Sequence, residues 1–451
     1  MINDDSYPCS PLANKGYSRK LSMMTNQGGN HPAILVAIFV FILILVITRD
    51  PMLLIQPRFW AEDGAHFYEF AFSHDWLDTL LFHPNYRLLL SNLSALAATG
   101  TLNMELAPLP FTLMSLLIMS TAVAVVIWGN SELWNTPFKK LLVSLLIVFA
   151  PVSDEIWLNA NGTQYYTALI TALLLCESMP QSGRIRKNLY RVLLVTGSLN
   201  GLLSCVLTPL YWIKAFRSRD REVLIQAIIL STGCLIQLVA ISIEIDSAER
   251  HRLTSLATFG WITAIKTYGH VFSREFGQLL YDVIITDRQV PYMMSRLYFY
   301  LGYMWLAVWI GILATLAYRL RQSVALYLLA SYVLLFVFVS IFAIAGRDNV
   351  FLLYPLLGNR YFFIPSALLL IVIMTSIFVP GRHGINTAWA ITASVVLTLG
   401  LLNSIHKYYT VLDDFSSYPE WKIEVSKWQA NPQHRLNIWP PPWTVDLAQP
   451  R

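Results

Sequence analysis

Apolar positions in this chain run on for whole bilayer-length stretches with few charges between them. Glu222–Ile243, Leu297–Ala317, Ser323–Ala345, Tyr361–Val379 and Asn386–Ile405 are nearly charge-free over the roughly 17–25 residues a helix needs to cross a bilayer core. Leu109–Trp128 and Gln164–Ser178 read the same way. Ala33–Thr48 follows a polar tail and lacks a small-x-small cleavage site, so it reads as an uncleaved first span.

Two segments interrupt this pattern. Leu88–Leu106 is apolar but broken by Ser91, Asn92, Ser94, Thr99 and Gly100, which predicts an amphipathic helix lying at an interface. Val192–Trp212 has basic residues at both ends and carries Gly197, Gly201 and Pro209. A re-entrant hairpin, with its irregular backbone buried in protein, satisfies both basic ends. With both segments counted as spans the chain has about eleven transmembrane helices, and with neither about nine.

Lys and Arg in short loops set the orientation, because they are retained on the cytoplasmic side. Lys15, Arg19 and Lys20 place the N-terminus inside; Lys139, Lys140, Arg184, Arg186, Lys187, Arg191, Arg319, Arg321 and Arg382 then fall inside as well. The expected layout is a cytoplasmic tail over 1–32, a transmembrane domain over 33–405 and an extracytoplasmic Trp- and Pro-rich tail over 406–451. Large outer loops fall at 49–108 and 244–296.

Composition agrees. Of 451 residues, 55% are hydrophobic and 13% charged, and the mean hydropathy is +0.51; soluble domains carry about 25% charge. The net charge of +5 belongs to topology-setting loops, so nucleic acid is not an expected partner. Cys9, Cys176, Cys205 and Cys234 have no paired spacing, and His66, His74, His83 and His270 are scattered, so no metal site and no cofactor is indicated. The sequons Asn92-Leu93-Ser94 and Asn161-Gly162-Thr163 are expected by chance in a chain of this length.

Candidate chemistry begins just after the first span, at Pro57-Arg58-Phe59-Trp60-Ala61-Glu62-Asp63-Gly64-Ala65-His66-Phe67-Tyr68. Adjacent carboxylates Glu62 and Asp63 among aromatics, beside a glycine that lets another chain approach, suit a general base. The competing reading is a helix start capped by Asp63 with Trp60, Phe67 and Tyr68 in an aromatic belt. Asp154 and Glu155 form a second acidic pair on the same side, read as a turn or cap.

An acid pair in this place, followed by juxtamembrane helices and many further spans, resembles the GT-C class of membrane glycosyltransferases. Asp63-Gly64-Ala65-His66-Phe67 is similar to the Asp-Glu-x-His-Phe stretch of its protein mannosyltransferases and aminoarabinose transferases, with the second acid moved to Glu62. Phe59-Trp60-Ala61-Glu62-Asp63-Gly64, taken with Gly358-Asn359-Arg360-Tyr361-Phe362, resembles the bacterial proteins of O-antigen glucosylation and envelope-polysaccharide modification.

The resemblance implies a GT-C-like helical bundle in the inner (plasma) membrane. It implies transfer of a hexose from a polyprenyl-phosphate-sugar donor to a polysaccharide or glycolipid acceptor outside the cytoplasm, with Asp63 as the catalytic carboxylate and Glu62 as its partner. Arg58, Arg87, Arg347 and Arg360 fall at headgroup level, where a guanidinium fork suits a phosphate, and Tyr361 stands beside one of them. With cations holding the leaving phosphate, the chemistry requires no metal. A polysaccharide polymerase or ligase shares the outer arginines but lacks the acid pair. A transporter places ionisable groups inside its spans, unlike this chain.

Overall fold

The computed structural model describes residues 32–101, 103–151, 153–180, 182–243, 255–269, 274–288, 296–321, 323–342, 349–355, 357–378, 385–410 and 420–447. Apart from one two-residue ladder and a few isolated bridges, the regular structure of the described residues is helical. It comprises α1 (Pro32–Arg49), α2 (Leu89–Thr101), α3 (Leu109–Trp128), α4 (Pro137–Val148), α5 (Thr163–Leu174), α6 (Arg184–Leu199), α7 (Thr208–Ser218) and α8 (Arg221–Ile243). After these come α9 (Leu256–Thr263), α10 (Arg274–Arg288), α11 (Arg296–Leu320), α12 (Ala325–Phe342), α13 (Phe363–Ile377), α14 (Ile385–Thr410) and α15 (Trp421–Ala430), then strands β1 (Leu436–Asn437) and β2 (Thr444–Val445). Seven helical segments among the described residues are long and apolar enough to cross a membrane: Pro32–Arg49, Met104–Trp128, Arg221–Ile243, Arg296–Leu320, Ala325–Phe342, Asn359–Ile377 and Thr387–Tyr409. The chain is an all-α multi-pass membrane protein.

The expected count of nine is reached only by adding α4 and α5, which differ in kind from the seven. Each is 12 residues long, about 18 Å at 1.5 Å per residue, against a hydrocarbon core of about 30 Å. Every residue of α5 is buried, so it is a central post wrapped by α3, α6, α12 and α13. Irregular backbone beyond its ends is tolerated because protein, not lipid, surrounds it.

The first interrupted segment buries its polar residues within the protein instead of turning them to water, and the second folds back on itself. In α2, Leu90, Ser91, Asn92, Ser94, Ala95 and Ala98 form one buried face while Leu93 and Gly100 are exposed. The second segment is a hairpin: α6 and α7 both pack on α8, joined by a break at 200–207. Gly201 has φ +96° and gives its N–H to Arg87 O at 2.9 Å, and Gln164 occupies the space a Cβ would need there. Asn200 accepts from Leu90 N–H at 3.0 Å and donates to Thr163 Oγ1 at 2.9 Å. Gln237 of α8 spans Arg87 N–H, Arg87 O and Ser198 O. The broken turn therefore has partners for its backbone, as a buried non-helical segment must.

Charge is sorted between the two ends of the bundle. Lys139 sits over Phe378, Arg319 donates to Ser376 O, Lys214 donates to Leu175 O and Glu177 O, and Arg191 pairs with Glu222. These contacts gather the predicted short basic loops at one end. Arg49 lies at the other, where Nε donates to Tyr408 O at 2.9 Å and its guanidinium covers the Tyr408 and Trp157 rings. The acidic motif, the 153–162 loop, the hairpin tip and residues 421–447 share that second end.

Residues 421–447 fold over the acidic motif. The Trp421 ring meets Phe59 edge-on at 4.8 Å and its Nε1 donates to Met104 O. Ala61 N–H donates to Trp439 O at 2.6 Å, and Gly64 is packed so closely by Ile438 and Val445 that a Cβ has no room. Glu424, wholly buried, accepts from Lys427, His434, the Asn437 side chain and Asn437 N–H.

Candidate active site

A cavity of about 260 Å³ opens between the acidic motif, α5, the hairpin tip and α12. Its walls differ in character. Glu62, Tyr86, Asn161, Gln164 and Arg360 form a polar side; Leu202, Leu203, Phe338, Val339 and Phe342 form an apolar side, three of them from a membrane-length helix. Phe342 is also exposed at the protein surface, which extends the apolar wall outward. His66, Tyr165, Tyr361 and Trp443 are also among the lining residues.

The acidic motif enters this space through an unusual helical start. Asp63–Tyr68 is a π-helical segment running into the α-turn Glu69–Ser73; such segments widen one turn and recur at functional sites. The two carboxylates diverge. Glu62 lines the cavity, where Arg360 Nη1 donates to its Oε1 at 3.0 Å. Asp63 is 1% exposed and does not border the cavity: Oδ2 accepts from Ala160 N–H at 2.8 Å and Oδ1 from Asn161 N–H at 2.9 Å. Asp63 thus ties down the 158–162 loop rather than capping its own helix. Burial pushes its pKa up to about 8, the two N–H groups oppose that, and the neighbouring Glu62 charge adds to it. A donor on each oxygen favours the carboxylate, since a protonated oxygen is the weaker acceptor for an N–H.

Arg360 stands just inside the turn Asn359–Phe362 that leads into α13. Its guanidinium bridges Glu62 and Glu155, the latter at 3.9 Å from Nε, and lies 5.3 Å from the Tyr361 ring. Gly358, at φ +67°, makes the bend before it. Lys266, fully buried, holds the preceding strand of chain from below, donating to Tyr354 O at 2.9 Å, Pro355 O at 3.3 Å, Leu357 O at 2.8 Å and Asn359 Oδ1 at 2.7 Å. Burial pulls the Lys266 pKa down to about 7, with Glu155 working against it.

Of the expected site residues, then, Glu62, Arg360 and Tyr361 meet at the cavity. Arg87 does not reach it: its Nη1 turns back to Leu81 O at 3.3 Å, although its neighbour Tyr86 lines the wall. Arg58 stays outside the lining, its charge acting on Asp50. Arg347 lies outside the described residues. Asn161, Gln164, Tyr165, Lys266 and Trp443 went unassigned from sequence. Among the described residues no cluster of metal-ligating side chains is present. Comparison of the chain with known protein families, with characterised proteins and with solved structures returns no match.

Proposed function

We propose that the protein is a membrane glycosyltransferase that takes a sugar from a polyprenyl-phosphate donor and passes it to an envelope saccharide on the extracytoplasmic face. The observation that carries the reading is the two-sided cavity, in which an arginine and a carboxylate face a wall of aliphatic and aromatic side chains from a membrane-length helix. A lipid-linked sugar has the same division, with an apolar tail, one anionic phosphate and a polyol.

In this reading the donor phosphate takes the Arg360 guanidinium in place of Glu62, since both anions suit the same fork. Glu62, released, accepts the proton of an acceptor hydroxyl. That oxygen bonds to the anomeric carbon, the bond from this carbon to the phosphate oxygen breaks, and polyprenyl phosphate leaves with its new charge against Arg360. The base role expected of Asp63 passes to Glu62, and Asp63 fixes the loop that presents Asn161 and Gln164. The sorted charges support a cytoplasmic basic end and an extracytoplasmic site.

Reconstituted protein supplied with synthetic polyprenyl-phosphate glucose should transfer glucose to delipidated envelope polysaccharide, and should not use a nucleotide sugar instead. In intact cells an impermeant thiol reagent should label Ser426→Cys and not Asn188→Cys. Transfer only of whole oligosaccharides from a diphosphate carrier would move the protein to the polymerase class, and the reverse labelling would invert its orientation.

A further inference from the structure

A second opening, about 520 Å³, is lined by Ala65, Glu69, Arg435, Pro442, Trp443, Thr444 and Asp446. Trp443 lines both spaces. Resting on the glycosyltransferase reading, we propose that this groove binds the acceptor saccharide, so that lipid-linked donor and polar acceptor approach Glu62 from opposite sides of the Trp443 indole.

The lining differs from that of the cavity in the direction the proposal needs. It has no aliphatic wall from a membrane-length helix: apart from Ala65, Pro442 and the indole, every lining group is polar or charged. A sugar ring presents C–H edges to an aromatic face and hydroxyls that both donate and accept. Here an indole stands beside two carboxylates, a guanidinium and a hydroxyl, a set in which few polar groups converge on one orientation.

These groups are held before any ligand arrives. Arg435 and Asp446 flank the register pair Leu436↔Val445, and Arg435 Nε pairs with Asp446 Oδ2 at 3.2 Å across the ladder. Asp446 N–H donates to Glu69 Oε2 at 2.9 Å, which sets the Glu69 carboxylate against the same ladder. Trp443 is fixed by its N–H to Pro440 O and by Ile438 N–H to its own carbonyl, both at 3.1 Å, and its ring meets His66 edge-on at 5.6 Å. His66 in turn lines the cavity that holds Glu62. The groove and the cavity share Trp443, and Ala65 of the groove is followed in the chain by His66 of the cavity, so the proposal has a saccharide in the groove extend a hydroxyl toward Glu62. Rigid display of charged hydrogen-bonding groups lowers the ordering cost of binding.

The test is steady-state transfer in proteoliposomes with polyprenyl-phosphate glucose as donor and delipidated envelope polysaccharide as acceptor. Trp443 borders both spaces, so Arg435→Ala and Asp446→Ala decide; both side chains are more than half exposed, and an exposed ion pair of this kind contributes only about 0–1 kcal/mol to stability. Each should raise the acceptor KM about tenfold or more with the donor KM unchanged, whereas Phe338→Ala should raise the donor KM alone. An unchanged acceptor KM in both groove variants, or a rise in donor KM instead, overturns the proposal. If wild-type protein transfers nothing, the functional reading fails by itself. Calorimetric titration of the same polysaccharide, which needs no transfer, then settles the groove: binding to wild type that Arg435→Ala weakens supports it, and no binding ends it.

Discussion

Arg360 Nη1 donates to Glu62 Oε1 at 3.0 Å across 298 residues of chain. This pair joins the two motifs that stood out in the sequence, one after the first span and one at the start of the sixth of the seven long apolar segments. It also occupies the guanidinium with a carboxylate where the proposed reaction puts a phosphate. The pair is three-quarters or more buried on each side, so breaking it strands a charge in a largely desolvated wall.

Arg360→Ala should therefore weaken donor binding by the value of a charge-assisted hydrogen bond, about 1.5–3 kcal/mol. Arg360→Lys should recover part of it, because an ammonium offers no fork. Donor KM measured against insertion level in the same membranes separates the effect from loss of protein; equal KM values in all three proteins would make Arg360 a structural anchor.

Asp63→Asn should cost stability first. Each Asp63 oxygen accepts a backbone N–H; the amide of asparagine turns an N–H₂ toward one of these donors, leaving a buried conflict worth about 1–3 kcal/mol. A lowered detergent-phase Tm, with activity falling in proportion to folded protein, is the expected outcome. Full stability with abolished transfer would return the catalytic role to Asp63.

Lys266→Met should loosen the chain that carries Arg360. Four acceptors, Tyr354 O, Pro355 O, Leu357 O and Asn359 Oδ1, converge on one ammonium, and no methionine satisfies any of them. Hydrogen exchange over 354–362 should rise, and donor KM with it. Lys266→Arg, too large for the pocket but able to donate, should fall between the two.

The segment over the site should be acid-sensitive. Burial works to raise the Glu424 pKa, but hydrogen bonds from Lys427, Asn437 and His434 prevail and hold it down to about 2. A carboxylate held below its unfolded value of about 4.5 contributes stability that is fully present above pH 4.5 and is lost as pH falls toward 2. The contribution is on the order of 3 kcal/mol. Protease cleavage within 421–447 should rise over that window in wild type; in Glu424→Gln it should already be high at neutral pH and change little with acid.

Much of the bundle was legible because lipid permits few solutions. A charge-free run such as Ser323–Ala345 has one stable fate, and the basic residues flanking Val192–Trp212 are compatible with a hairpin and not with a simple crossing. Gln164–Ser178 was legible as a span but not as a central post: Thr167 and Thr171 bond back within α5, Thr163 and Thr171 find Asn200 and Ser204 on the hairpin, and nothing local announces that every residue of the helix is buried. In the site, Glu62 and Asp63 were visible as a pair, but which of them faces the cavity depends on a π-turn and on a loop nearly a hundred residues away. Lys266 gave no local signal, because its four partners come from a different part of the chain. Trp443 was one of several tryptophans in a Trp- and Pro-rich tail, and only the turn between β1 and β2 brings it to the cavity.

Glu62 is the carboxylate at the cavity wall that would take the acceptor proton. Wild-type protein, Glu62→Gln and Asp63→Glu should be reconstituted at matched density, and glucose transfer from polyprenyl-phosphate glucose followed under single-turnover conditions with saturating donor. Loss of a general base costs about 10²–10⁴-fold in rate. Glu62→Gln, whose amide oxygen can still accept from Arg360 while Glu155 lies 3.9 Å from the same guanidinium, should fall by that factor with normal insertion and at most a modest loss of Tm, while Asp63→Glu should lose Tm before it loses rate per folded molecule. A Glu62→Gln protein that transfers glucose within a few-fold of wild type would contradict the assignment of this cavity as the transfer site.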